Sequence, residues 1–202
     1  MPKTAAIALA AALFAVAGCF DEPVPADKTV PEGARVYLSS KGLKDLSGQA
    51  DAFKLGDRID YVNRDRNQLE TFPEELASLT GLKWLRLNEN RLSALPDLSA
   101  LKNLRRIYLR GNRFESVPET LKDLPSLTDV DLSSNPIKEI PAWLAQKKGL
   151  ESLSFSRTLV EKLPDDLSAW ISLKQLQLGD LKLSRDEMAR IRKDLPRTAV
   201  VF

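Results

Sequence analysis

One pattern recurs along most of this chain and leaves it few ways to fold. Leu82, Leu85, Leu87, Asn90, Leu92, Leu95 and Pro96 occupy the first, fourth, sixth, ninth, eleventh, fourteenth and fifteenth places of a segment. Leu104, Ile107, Leu109, Asn112, Phe114, Val117 and Pro118 fill the same places in the next, and Leu127, Val130, Leu132, Asn135, Ile137, Ile140 and Pro141 in a third. Apolar side chains, an amide and a proline coincide in register each time, which the scattered leucines of an ordinary helix would not do. Fainter copies flank these. Upstream, Ile59, Val62, Asn67, Leu69, Phe72 and Pro73 fit, with Arg64 at a place that should point into the core. Downstream, Leu150, Leu153, Phe155, Leu159 or Val160, Leu163 and Pro164 fit, with Thr158 where Asn is expected, and a partial copy begins at Leu173, Leu176 and Leu178 before losing the Asn to Leu181. Val36, Leu38, Leu43 and Leu46 form a degenerate opening copy.

The pattern resembles the leucine-rich repeat, whose unit of roughly 20 to 29 residues contributes one strand and a return segment to a curved stack. The likeness extends over residues 34–202, and its decay toward both ends is what the capping units of a one-dimensional stack should show. It implies an α/β solenoid, with a curved parallel sheet on the concave side and short helical or 3₁₀ returns on the convex side. Physical roles follow from residue type. The apolar first, fourth and sixth places enter a core where each aliphatic contributes about 1.5 to 3 kcal/mol. Asn67, Asn90, Asn112 and Asn135 stand where the chain leaves its strand, and a carboxamide there can satisfy backbone groups that no regular ladder reaches; the four are expected to be buried and structural. Pro73, Pro96, Pro118, Pro141 and Pro164 stop the strand by fixing φ and removing a donor. Trp143 and Trp170 fall in return segments, where packing between adjacent repeats accounts for them.

The C-terminus predicts a helix and a strand as a cap. Ser184 and Glu187 have the spacing of a capping box, and Met188, Ile191 and Leu195 follow along one side of a helix that Pro196 ends. The β-branched and aromatic run Thr198–Phe202 should add a last strand over the open edge of the ladder.

The first residues carry a separate signal. Lys3 precedes an uncharged apolar run, Ala5 to Ala15, which is too short to span a bilayer and has the length of a signal peptide. Val16-Ala17-Gly18-Cys19 follows and resembles the lipobox of bacterial lipoproteins, in which the Cys is lipidated and becomes the mature N-terminus. Cys19 is the only cysteine, so a disulfide role within the chain has no second partner. The likeness implies residues 1–18 as signal peptide and a multiply acylated Cys19, the condition for stable membrane attachment. Phe20 rather than Asp follows Cys19, which by similarity to enterobacterial sorting points to the outer membrane. Residues 19–33 are proline-rich and acidic and serve as a tether of up to about 3.1 Å per residue if polyproline-like.

Composition narrows the function. The formal charge is +2, which gives no basic field for nucleic acid. With no His, the usual general base and nitrogen ligand are absent, and the single Cys is assigned to lipid. No metal, no cofactor and no enzyme activity are expected. A pair of carboxylates, Asp129 and Asp131, two apart on one strand, could act on a glycan as acid and base; the plainer account makes them outward-facing residues of a repeat.

A binding role would lie on the outward strand positions. In this family the third, fifth and seventh places face the concave side. The third places are Tyr61, Trp84, Arg106, Asp129, Ser152 and Gln175; the fifth are Asn63, Arg86, Tyr108, Asp131, Ser154 and Gln177; the seventh are Asp65, Asn88, Arg110, Ser133, Ser156 and Gly179. Tyr61, Trp84, Arg86, Arg106, Tyr108, Arg110, Asp129 and Asp131 thus form a candidate site for a protein or peptide, rich in the residue types that dominate interface energetics. Trp84 is expected to stand in solvent, where an indole has little structural reason to be unless a partner covers it. The sequence therefore predicts a monomeric, lipid-anchored envelope solenoid that binds protein; a glycan-acting envelope enzyme and a structural or assembly protein are the alternatives. Cys19→Ala should leave the protein uncleaved or soluble, whereas the unaltered protein partitions into detergent and takes up labelled palmitate. Equal partitioning of both, with no label, would remove the anchor.

Overall fold

A computed structural model of the chain describes residues 33–45 and 53–202. The signal peptide, Cys19, all of the tether but Gly33, and Leu46 lie outside the described residues. Eight strands follow one another in chain order as one parallel sheet: β1 (Ala34–Tyr37), β2 (Ile59–Asn63), β3 (Trp84–Arg86), β4 (Arg106–Tyr108), β5 (Asp129–Asp131), β6 (Ser152–Ser154), β7 (Gln175–Gln177) and β8 (Ala199–Val201). The fourth-place residues pair directly across the ladder, Val62 with Leu85, then Ile107, Val130, Leu153 and Leu176, ending on Val200. These apolar groups stack above one another because the repeat carries the same residue type back to the same height. The ladder runs one residue past the strands, since the sixth-place N–H groups of Leu87, Leu109, Leu132 and Phe155 donate to Tyr108, Asp131, Ser154 and Gln177.

Each turn after the sixth place reverses the chain through a left-handed residue. Arg66, Glu89, Gly111, Ser134, Arg157 and Asp180 all have φ between 50° and 65°. Only Gly111 adopts that conformation without a Cβ clash, and for the other five it costs about 1 kcal/mol each. The amide column compensates. Asn90 donates to the Arg64, Leu87 and Asn88 carbonyls at 3.0, 3.0 and 3.1 Å and accepts from Leu69 N–H at 3.1 Å. Asn112 repeats this with Leu87, Leu109 and Leu92 N–H, and Asn135 with Leu109, Leu132 and Phe114 N–H. Asn67 bonds to the Leu38 carbonyl and to the N–H groups of Lys41 and Leu43. All four are buried, as the residue pattern predicts. Thr158, the substitute in the fifth copy, reaches only the Phe155 carbonyl.

The returns follow the prolines. Pro73, with φ −69°, precedes the single helical turn α1 (Glu74–Ala77), Pro118 a 3₁₀ turn at Glu119–Asp123, and Pro141 the helix α2 (Ala142–Gln146). Each return buries a leucine, Leu76, Leu121 or Leu144, under the sheet. Trp170 is buried beneath the next return, a 3₁₀ turn at Ser168–Ser172, and its indole N–H donates to the Leu144 carbonyl at 2.9 Å; Trp143 donates to Glu119 at 3.0 Å. Both tie one repeat to the preceding one. After Pro96 the return has no helix at all, only extended chain and turn.

The two ends are handled differently. At the N-terminal side Arg64 occupies a leucine place and is fully buried; its Nη2 donates to the Asp45 carbonyl at 3.1 Å, while Nε and Nη1 have no hydrogen-bond partner among the described residues. Burial holds its pKa down, at about 10. At the C-terminal side the helix α3 (Arg185–Asp194) packs Ile191 into the core, and β8 extends the sheet beside β7. The capping box is only half formed. Ser184 Oγ accepts from Glu187 N–H, but the Glu187 carboxylate turns away from the cap, accepting from Leu163 N–H at 2.9 Å and pairing with Arg190 at 2.7 Å. It is drawn off because Leu163 N–H would otherwise be a buried donor without an acceptor. Among the described residues no helix is long and apolar enough to cross a membrane.

Asn90→Ala or Asn112→Ala should destabilise the domain by about 1 to 3 kcal/mol through stranded backbone groups, and Thr158→Ala by clearly less. Unchanged urea midpoints for both Asn variants would contradict the column's structural role. Arg64→Leu should raise the midpoint by about 1 kcal/mol, because an under-bonded buried cation is exchanged for packing; a lowered midpoint counts against that account.

Candidate functional site

The columns predicted from the repeat are the columns observed. Tyr61, Trp84, Arg106, Asp129, Ser152 and Gln175 lie side by side, as do Asn63, Arg86, Tyr108, Asp131, Ser154 and Gln177. They share the concave face because strand side chains alternate, so the residues on either side of a buried fourth place both point away from the core. Tyr37, which pairs with Asn63 on β1, extends the second column by one residue and belongs to the same face. It was not among the residues predicted, since its copy of the repeat is too degenerate to fix the register; its place directly after Val36 was the available signal.

The expectation that Trp84 stands in solvent is not met. Trp84 is only 5% exposed. Tyr61 meets it edge-on with ring centroids 5.0 Å apart and planes at 84°, and Tyr108 does so from the other side at 5.8 Å and 87°. Arg106 lies over the indole at 5.1 Å, a cation–π contact. Tyr37 continues the series at 5.2 Å from Tyr61 and is 53% exposed. The four rings thus form one ladder across β1 to β4, in which the inner members hide one another's edges. The packing leaves a defect: Trp84 Nε1 and the Tyr61 hydroxyl are buried and form no hydrogen bond. Burial pushes the Tyr61 phenol up, and pushes Tyr108 up to about 12, where Asp129 adds to the effect.

The charged members are largely engaged with one another. Arg86 grips Asp65 at 2.6 and 2.8 Å through two nitrogens on one carboxylate oxygen. Burial raises the Asp65 pKa, and the attraction of Arg86 and the Asn88 N–H offsets this only in part. Arg106 approaches Asp129 at 3.7 Å, and Asp129 also takes the Thr128 hydroxyl at 2.5 Å. Asp131 accepts from Ser133 N–H and Oγ. The two carboxylates do lie on one face of β5, but as acceptors of local hydrogen bonds and not as a pair facing a cleft. Arg110 is exposed and makes no ion pair with any of the described residues. It borders a shallow polar depression of about 300 Å³ floored by Ser133, Ser154, Ser156 and Gln177.

The seventh places couple neighbours rather than forming an open surface. Asp65 accepts from Asn88 N–H, Asn88 from Arg110 N–H, and Ser156 from Gly179 N–H, at 2.8, 2.9 and 3.1 Å. Asp65 is therefore a positioning residue for Arg86, a role the column pattern did not reveal. Among the described residues there is no cluster of three or more His, Cys, Asp or Glu able to hold a metal.

A leucine rich repeat family model matches residues 80–137 and again 102–160. The chain is 28% identical to zebrafish (Danio rerio) keratocan over 169 residues, which is 81% of this chain and 46% of that protein. It is 33% identical to pig (Sus scrofa) fibromodulin over 103 residues, covering 50% of this chain and 67% of that one. The chain spans 5% and 8% of two further relatives, a Dictyostelium discoideum probable inactive serine/threonine-protein kinase and a Caenorhabditis elegans flightless-1 homolog. In fold it resembles a solved internalin from Listeria monocytogenes, with a TM-score of 0.68 at 22% identity over 83% of this chain and 47% of that one. The recurring amide column, the parallel ladder and these likenesses agree, and the chain belongs to the leucine-rich repeat family.

Proposed function

We propose that this protein is a lipid-anchored component of a bacterial cell envelope, held to the outer membrane through Cys19, and that it captures another protein or peptide on its concave face. The observation that carries the binding part is the Tyr37–Tyr61–Trp84–Tyr108 ladder flanked by Arg86, Arg106 and Arg110. Of these rings Tyr37 is exposed and Tyr108 half-buried, and the buried Tyr61 and Trp84 hold them in place. Strands about 4.8 Å apart make the eight-strand concave face about 30 Å long, enough for an extended peptide or the edge of a small domain, and the aromatic rings occupy about 14 Å of it. Trp, Tyr and Arg supply large contact area at small entropic cost, which is why binding energy concentrates on them. The anchor rests on the Val16-Ala17-Gly18-Cys19 sequence. A glycan-acting enzyme draws no support from Asp129 and Asp131, whose oxygens accept from Thr128 and Ser133.

Crosslinking capture from intact cells, with the lipidated protein as bait, tests the reading. Trp84→Ala with Tyr108→Ala should abolish capture, Arg110→Glu should weaken it while sparing the packed ladder, and Ser152→Ala with Gln175→Ala should change little. Circular dichroism and urea midpoints establish that each variant is folded. Full capture by a folded Trp84/Tyr108 double variant would remove the concave face as the site.

A further inference from the structure

The chain's formal charge is only +2, but it is not spread evenly over the fold. In a parallel ladder every strand begins on the same flank, so the residues just before each strand and at its second place lie side by side along one edge of the solenoid. Arg58, Lys83, Lys102, Arg105, Lys148 and Lys174 stand exposed on that flank, against the carboxylates of Asp57 and Glu151. Lys174 pairs with Glu151 at 2.7 Å, and Asp97 on the return behind partly offsets Lys102. Among the described residues the other five cations form no ion pair. The backbone of the flank does not employ them either, since Asn103 and Ser126 donate to the Thr80 and Lys102 carbonyls at 2.9 and 2.7 Å. Lys147 is the contrast, its Nζ spent on the Lys122 and Leu124 carbonyls at 3.0 and 2.8 Å. The opposite flank, where the chain leaves its strands, couples charges across repeats: Arg66 with Glu89, Arg91 with Glu70 and Arg157 with Asp180, at 3.2, 3.5 and 3.0 Å. The basic flank also holds Ile171, in the same repeat position as Lys102 and Lys148, which at 80% is the most exposed large apolar side chain among the described residues.

We infer that this flank lies against a bilayer with anionic headgroups, its cations meeting lipid phosphates while Ile171 enters the interface. This orientation rests on the anchor at Cys19 proposed above. Gly33 directly precedes β1, so residues 19–33 join the fold on this same flank, where the Gly33 N–H donates to Asp60 at 2.7 Å. Between Cys19 and Gly33 the chain reaches at most about 43 Å at about 3.1 Å per residue, which lets the flank descend to the surface. An anionic surface favours each nearby Lys or Arg by about fivefold in partition, and the attraction fades within a Debye length of about 10 Å. Cations without a partner gain most, because lipid phosphate replaces water and not an existing carboxylate. Exposed Ile171 favours lipid over an acidic protein segment, since apolar area and charge attraction act together only at a membrane interface. The concave face stands at right angles to the flank. The orientation therefore leaves the rings of Tyr37 to Tyr108 open to a partner and runs their strip parallel to the bilayer.

The test uses the full lipidated protein with vesicles of phosphatidylcholine, alone or mixed equally with phosphatidylglycerol. A fluorophore on Ser172→Cys, on the flank, or on Lys138→Cys, on the opposite one, reports proximity to lipid through quenching by a spin-labelled headgroup. In anionic vesicles the Ser172 position should be quenched several-fold more than the Lys138 position, and in neutral vesicles the difference should collapse. Lys83→Gln with Arg105→Gln and Lys148→Gln should weaken the contact about a hundredfold, three charges at about fivefold each, and high salt should abolish it. Arg113→Gln with Lys138→Gln should leave the Ser172 signal unchanged. Urea midpoints establish that each variant is folded. Equal quenching at the two positions, on protein that floats with both kinds of vesicle, overturns the inference and leaves the anchor standing; so does Ser172 quenching that survives the triple variant. Flotation with anionic vesicles alone, lost in the triple variant, removes the anchor and upholds the flank. Flotation with neither removes both. If quenching appears only once Asp21, Glu22, Asp27 and Glu32 are changed to Asn or Gln, the acidic tether occupies the flank and the bilayer contact falls.

Discussion

The structure depends on one recurring act of hydrogen bonding, the asparagine carboxamide that closes each turn. A strand of three residues cannot hold a ladder together alone, and every repeat leaves it through a left-handed residue that, Gly111 apart, carries a Cβ. At that turn the backbone carbonyls of two successive repeats converge where no strand partner reaches them. Asn90, Asn112 and Asn135 each bridge a carbonyl of the preceding repeat and one of their own, and return an acceptor to an N–H of the preceding repeat. No other uncharged side chain of that size carries two donors and an acceptor in one plane. The apolar core supplies most of the free energy, but it is non-directional; the amide column sets the height and angle at which one repeat meets the next.

Because the repeats are fixed in this way, the outward positions are free to differ. In the first half they hold aromatics and arginines, and in the second serines and glutamines. The strip is still not a set of independent surface residues. Asp65 positions Arg86, Arg106 lies on Trp84, and the rings cover one another's edges. Such a surface is preorganised, so a ligand meets side chains already held in place and loses less entropy in ordering them. Buried donors without acceptors are the counterpart of that rigidity, since rings held by their neighbours cannot turn their polar atoms to water.

The ends show what a stack must do when the repeat stops. On the first side a buried arginine, Arg64, takes a leucine place and fastens the backbone at Asp45 with one of its nitrogens. On the last, Glu187 serves the Leu163 N–H in place of a further repeat, and Arg190 neutralises it while reaching the Leu163 and Pro164 carbonyls. Both devices satisfy backbone groups that an internal repeat would pair automatically. Both place charge where the middle of the stack has apolar side chains.

What the sequence determined was everything that repeats. The fourth and sixth places, the asparagine column, the prolines that start the returns and the register of the outward columns were legible, because each is imposed by a period that one chain states several times. The closing strand Ala199–Val201 was legible from its β-branched run. Tertiary structure decided whatever depends on two different repeats meeting. The burial of Trp84 follows from Tyr61 standing directly beside it on β2 and Tyr108 standing diagonally to it on β4, a relation between residues far apart in the chain. The turn of Glu187 from its cap to Leu163 has the same origin, as does the engagement of Asp65 with Arg86. A repeat fixes where a side chain points, but the solvent and partners it finds there belong to its neighbours in space, and those are set only when the stack has closed.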